Sequence, residues 1–127
     1  MTAFRVLLAV GWVALVGYTV GVIERHGMGL VPIYFGDIAR GGWPGQFNAD
    51  FLCFLVLSAL WTAWRERFSP AGLALGLVAL VGGAGFLLPY LFVLSVRVRG
   101  DVAALLLGPS RVAGRLDSRR DSGMIGR

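Results

Sequence analysis

The chain has 127 residues, of which 57% are hydrophobic and 15% are charged. This length allows one compact bundle, and the composition leaves no room for a second, soluble domain. Twelve arginines outnumber seven acids, and they lie at the ends of apolar runs and in the C-terminal region. This placement favours anionic lipid headgroups as the partner and argues against nucleic acid.

Three stretches without a charged residue, at positions 6–23, 51–64 and 68–96, together fill about half of the chain. A helix of roughly 18 apolar residues can cross a hydrocarbon core of about 30 Å. We therefore predict an all-α integral membrane bundle of three transmembrane helices in the lipid bilayer. The predicted spans are residues 5–23, 48–64 and 70–96.

The first apolar run could also be a signal peptide. It is longer than an ordinary signal core, and it is followed by Glu24, Arg25 and His26 instead of a small-x-small cleavage site. We therefore predict a retained span, with Arg5 reaching the headgroups at its start.

Residues 24–48 connect the first two spans and are rich in Gly and Pro. An apolar cluster at positions 30–38 predicts a short helix lying in the membrane interface, with Trp43 as an aromatic anchor. A re-entrant segment is the alternative, but it would need surrounding protein to satisfy its backbone.

The second span has the clearest polar candidates. Asn48 is placed as an N-cap and Asp50 in the first helical turn, where a carboxylate favours the helix dipole. The competing interpretation gives Asp50 a role in proton or cation handling, or in an ion pair with Arg40 or a partner subunit. Trp61 and Trp64 are interface anchors at the exit of this span.

The third span begins at Ser69 and Pro70, and its roughly 40 Å length at 1.5 Å per residue predicts tilt or a kink at Pro89. Residues 101–107 can form only one or two surface turns. From Gly108 onward we predict a mobile, arginine-rich tail, so that residues 100–127 lie outside the membrane domain. Its arginines either contact anionic lipid or are simply solvated. They are Arg111, Arg115, Arg119 and Arg120.

Small residues recur at helical spacing, and such positions allow close contact between helices. We predict packing against the protein's own spans, with another subunit, a pigment or a lipid as the alternative. The positions are Gly17 and Gly21 in the first span, and Gly72, Gly76 and Gly83 in the third.

Few residues suit catalysis or metal binding. His26 is the only histidine and Cys53 the only cysteine, and the acids are scattered. No nucleophile has a base at a recognisable spacing, and no cluster of metal ligands is present in the sequence. We therefore predict no catalytic and no metal site, with His26 as an interfacial residue or, alternatively, an axial haem or chlorophyll ligand.

Orientation follows from the arginines near the span ends. If three helices cross, the first connection and the C-terminal tail share one side, which then carries more arginine than the other. This favours an outside N-terminus and a cytoplasmic C-terminus.

Residues 47–97 contain, in order, an acidic residue at a helix start, a Trp-containing exit, a basic turn and a Gly-rich span. This order, with Asp50, Trp61 and Pro89 as matching positions, resembles a family of small bacterial three-span inner-membrane proteins known only as a domain of unknown function. The resemblance implies a fold and no activity, and the longer arginine-rich tail departs from it.

These observations together predict a noncatalytic accessory or assembly subunit of a larger complex in the bacterial inner membrane, with other membrane subunits or itself as partners. One rival is a homo-oligomeric transporter or channel that uses Asp50, since three helices are too few to enclose a path alone. The other is a subunit that binds a pigment or quinone, and the cofactor stays unknown.

Overall fold

The computed structural model describes residues 1–124, and their regular structure is entirely helical. By length and composition, three of the helices are apolar enough to span a membrane, which confirms the predicted all-α membrane fold class at that level. In chain order the helices are α1 (Thr2–His26), α2 (Leu30–Arg40), α3 (Trp43–Arg65), α4 (Pro70–Arg97), α5 (Val102–Leu107) and α6 (Pro109–Met124).

Helix α3 begins earlier than predicted, at Trp43. Gly41 adopts a left-handed conformation that ends α2, Gly42 is the N-cap of α3, and Pro44 lies in the first helical turn, where its fixed φ favours the helix. The prediction that Asn48 caps this helix is therefore wrong. Asp50 is the eighth residue of α3, so it lies beyond the first turn, where the helix dipole acts.

The predicted short helix between the first two spans is present as α2, which packs against the start of α3. Gly45 is buried at this contact, and the two helices approach so closely that a Cβ at this position would overlap the backbone carbonyl of Asp37. Two reciprocal hydrogen bonds add to the contact. The Tyr34 hydroxyl donates to the Asn48 carbonyl, and the Asn48 amide donates to the Tyr34 carbonyl at 3.2 Å.

Helix α4 is interrupted at Gly83, whose φ of 51° and ψ of −136° are not helical. The predicted kink at Pro89 is therefore misplaced by six residues. Few residues other than glycine adopt a positive φ of this kind without strain. The break divides α4 into a first arm, residues 70–82, and a second arm, residues 84–97.

The two arms run in opposite directions. Gly72 lies against Glu66, and the Tyr90 hydroxyl donates a hydrogen bond to Glu66 Oε1 at 3.0 Å. Gly72 and Tyr90 are 18 residues apart and would be about 27 Å apart in a straight helix, too far for both to contact one residue. Helix α4 is therefore a helical hairpin with its tip at Gly83.

Helix α1 packs antiparallel to the second arm of the hairpin. Pro89 has no N–H to donate to the Gly85 carbonyl four residues earlier, and the Trp12 indole supplies that donor at 3.0 Å. Such compensation matters in lipid, where an unpaired backbone group costs several kcal/mol. Near the end of the arm, Arg5 donates to the Ser95 hydroxyl at 3.1 Å and to its carbonyl at 2.8 Å.

The hairpin brings both termini to one end of the bundle, which we term the arginine end. The predicted opposite placement of the N-terminus and the C-terminal region is therefore corrected. That prediction assumed that every long apolar helix crosses the membrane completely. Within residues 1–119, only Arg25 and Arg40 lie at the opposite end, and eight arginines lie at the arginine end. These eight are Arg5, Arg65, Arg67, Arg97, Arg99, Arg111, Arg115 and Arg119.

The predicted packing glycines divide into two groups. Gly72, Gly76 and Gly83 are buried against α3, and a Cβ at Gly76 would lie 2.9 Å from the Ala59 carbonyl oxygen. Gly17 and Gly21 have no such neighbour within 4 Å. Internal packing therefore does not account for these two positions of α1.

The C-terminal region contains more regular structure than predicted. Helix α5 agrees with the predicted one or two turns, and residues 109–124, predicted as a tail without structure, form α6. Asp101 caps α5 by accepting from the Ala104 N–H at 3.0 Å. Residues 125–127 of the predicted tail and the side chain of Arg120 lie outside the described part of the chain.

We expect reporters fused to either terminus to be found on the same side of the membrane, because α4 returns to the side from which it enters. Fluorescent-protein and alkaline-phosphatase fusions in bacteria measure this, since each reporter is active on only one side. Opposite results for the N- and C-terminal fusions would show that α4 crosses the membrane. A fusion in the loop after His26 is the matched control and should report the other side.

Candidate functional site

The residues with the strongest predicted functional roles lie apart from one another. Asp50 is exposed on α3, and Arg40, which one alternative paired with Asp50, instead binds Asp37 at 2.8 Å. His26 is exposed at the end of α1, and Cys53 is exposed on α3. Within the described residues no group of three or more His, Cys, Asp or Glu side chains could hold a metal.

The best-defined polar cluster lies instead at the arginine end, around Arg65. This side chain is only 5% exposed, although it ends the long apolar helix α3. Its guanidinium donates to the Leu105 carbonyl at 2.7 Å, to the Ala104 carbonyl at 3.2 Å and to Glu66 Oε1 at 2.5 Å. The guanidinium carries five N–H donors in a fixed planar geometry, which the three donors of a lysine ammonium do not reproduce.

Glu66 connects this cluster to the hairpin. One of its carboxylate oxygens accepts from both Arg65 and the Tyr90 hydroxyl. The Tyr90 ring stacks on Phe86 and meets Trp61 edge to face. The second arm of α4 is thereby held beside the end of α3.

Trp61 and Trp64, predicted as interface anchors, also hold the C-terminal helices. The Trp61 indole donates to the Leu106 carbonyl of α5 at 3.3 Å. Arg111 of α6 stacks over the Trp64 ring at 3.8 Å from its centroid and donates to the Trp64 carbonyl at 2.6 Å. A cation over an indole face is a favourable pairing. Trp43, the third predicted anchor, is 84% exposed at the opposite end.

Helices α3 and α4 end in the same way. Phe68 N–H bonds to the Ala63 carbonyl, and Arg67 N–H to the Trp64 carbonyl, which is the Schellman pattern. At the end of α4, Gly100 and Arg99 repeat it. Arg67 and Arg99 occupy the left-handed position, with φ of 59° and 50°, where glycine is the usual residue.

An open cleft of about 400 Å³ lies between these helix ends. Its lining comes from the ends of α3 and α4 and the residues that follow them, from α5 and from the start of α6. The charged lining residues are Arg65, Glu66, Arg97, Arg99 and Asp101, and the apolar ones are Leu94, Val98, Ala104 and Pro109.

Sequence reasoning missed the cluster around Arg65, Glu66 and Tyr90. The sequence predicted only a basic turn at residues 65–67, and nothing in the local pattern distinguishes a buried arginine from an exposed one at a helix end. Two of the three acceptors of Arg65 are carbonyls that lie 39 and 40 positions later in the chain. A local sequence pattern around Arg65 does not include these residues.

The hydroxyl groups at the arginine end hold helices together. The Tyr90 hydroxyl donates to the Glu66 carboxylate. The Ser95 hydroxyl accepts from Arg5 and donates to the Phe92 carbonyl. Neither hydroxyl has a histidine beside it that could act as a general base. Comparison with protein-family models, with curated proteins and with solved structures finds no match for this chain.

Proposed function

We propose that this protein is a noncatalytic accessory or assembly subunit of a larger complex in the bacterial inner membrane. The observation that carries the proposal is the way in which the chain uses the polar groups at the arginine end. Arg65, Glu66 and Tyr90 bond to one another and to α5. They serve to hold the C-terminal helices at the membrane boundary.

Helix α6 is the element available for contact with a partner. It is held to the bundle by Arg111, and its side chains from Ala113 to Arg119 are exposed. Leu116 is 61% exposed between Arg115 and Asp117. An exposed large apolar side chain on a fixed helix suits recognition by a groove on a partner.

The arginine end is the cytoplasmic end in this proposal. Arginine is enriched on the cytoplasmic side of bacterial membrane proteins, and the fold places most arginines at that end. Helix α6 then faces cytoplasmic partners or the cytoplasmic parts of other subunits.

A second candidate function is a homo-oligomeric transporter or channel. Asp50 favours it, because its carboxylate is exposed on a membrane-length helix and its neighbour Phe51 lies against the tip of the hairpin at Gly83. A carboxylate at such a depth is costly in lipid. In this alternative, contacts between copies would shield Asp50 from lipid.

Purification in mild detergent followed by mass spectrometry tests the proposal. We expect other membrane proteins to co-purify, and Leu116→Arg to reduce their recovery about tenfold, as expected for an anchor worth about 1.4 kcal/mol. Asp50→Asn is the control and should leave recovery unchanged. If only this chain is recovered, and Asp50→Asn abolishes ion flux in reconstituted vesicles, the transporter is the correct alternative.

A further inference from the structure

The cleft at the arginine end contains two arginines that the fold does not use. Glu66 is engaged by Arg65 and Tyr90, and Asp101 caps α5. Within residues 1–119, neither Arg97 nor Arg99 forms an ion pair, and both side chains are exposed. The three arginines and two acids of the lining therefore give the cleft a net charge of +1, and Arg97 and Arg99 are its two cations without an ion-pair partner in the described part of the chain.

The conformation of Arg99 provides a test of its role. It occupies the left-handed position of a Schellman turn with φ of 50°, where a residue with a Cβ is strained and glycine is not. Arg67 occupies the same position at the end of α3. Glycine at position 99 would therefore remove the cation and leave the backbone less strained.

The position of the cleft indicates which anion it binds. Arg97 ends the apolar helix α4, and α5 beside it exposes Val102 and Leu106 by 57% and 49%. Exposed aliphatic side chains next to exposed arginines are typical of the boundary between acyl chains and headgroups.

From this geometry we infer that the cleft binds the headgroup of an anionic phospholipid. Arg97 and Arg99 bind the phosphate, and the apolar walls formed by Leu94 and Val98 contact the glycerol and the first acyl carbons. Arginine suits this role because its planar fork can donate two parallel hydrogen bonds to a phosphate. The inference does not depend on the proposed assembly role.

Native mass spectrometry of the detergent-solubilised chain, titrated with phosphatidylglycerol or phosphatidylcholine, tests this inference. We expect the chain to retain one phosphatidylglycerol in preference to phosphatidylcholine. We expect Arg97→Gln and Arg99→Gly each to weaken phosphatidylglycerol binding about fivefold, the effect of one arginine at an anionic surface. Arg99→Gly should also raise the melting temperature in lipid-free detergent, because it removes backbone strain. A higher melting temperature would show that the weaker lipid binding of this variant is not caused by loss of folding.

Two control variants lose one positive charge outside the cleft. Arg115→Gln removes it from α6 at the same end, and Arg25→Gln removes it at the opposite end. Both variants should bind phosphatidylglycerol with the wild-type affinity. Equal weakening in Arg115→Gln would show diffuse attraction and overturn the site. Equal binding of both lipids would also overturn it. Competition by millimolar inorganic phosphate would show that the ligand is free phosphate and not lipid.

Discussion

Gly83→Ala is expected to destabilise the folded protein by about 1–3 kcal/mol, the usual cost of a side chain in a strained backbone conformation. Gly83 has φ of 51°, and its Cβ would lie 3.1 Å from Leu55 Cδ2. The substitution also favours a continuous helix through residues 70–97, because alanine is the best helix former. It therefore acts against the hairpin through both sterics and propensity.

Gly85→Ala is the matched control, because it makes the same chemical change two residues from the tip. A Cβ at Gly85 would meet no atom within 4 Å, and Gly85 has no positive φ. We expect its stability to equal or slightly exceed that of the wild type. Unfolding with a chemical denaturant in detergent micelles measures both variants. Equal stability of the two would mean that α4 does not reverse at Gly83.

Replacement of Arg65 by alanine is expected to cost about 1–3 kcal/mol, the usual cost of leaving a buried hydrogen-bonding group without its partner. The change leaves the Glu66 carboxylate without its cation and the Ala104 and Leu105 carbonyls without their donor. Helix α5 should then separate from the end of α3. Arg65→Lys should give an intermediate loss, because an ammonium keeps the charge but not the fork.

Hydrogen exchange of residues 102–107, together with denaturant unfolding, measures this effect. Arg67→Ala is the matched control, since Arg67 is exposed two residues later and forms no ion pair within the described residues. We expect it to change stability by no more than about 0.5 kcal/mol. If Arg65→Ala leaves exchange in α5 unchanged, Arg65 does not hold that helix.

Part of this fold follows directly from local sequence. The long apolar runs identify the membrane helices, since no soluble domain of this size could bury them. The aromatic and charged residues at Trp61, Trp64 and Arg65 mark the correct helix end. The N-cap at Ser69 is present, with the Gly72 N–H donating to its hydroxyl at 3.1 Å.

Local reasoning failed where a backbone preference depends on distant contacts. Gly83 was predicted as a helix-packing position, because glycine at helical spacing is typical of a packing surface. Only contact with Phe51 and Leu55 of α3 identifies Gly83 as the turning point. Pro89 was the stronger local signal, but the Trp12 indole compensates the carbonyl that it leaves free.

The sequence by itself determined that this protein is a helical membrane protein with arginines at its span ends, because hydrophobicity and charge act residue by residue. Only the tertiary structure decided that α4 doubles back, that Arg65 is buried and that Arg97 and Arg99 share a cleft. These features depend on pairs of residues far apart in the chain. In lipid, the need to pair each buried polar group selects those partners, and the pairing exists only once the helices have packed.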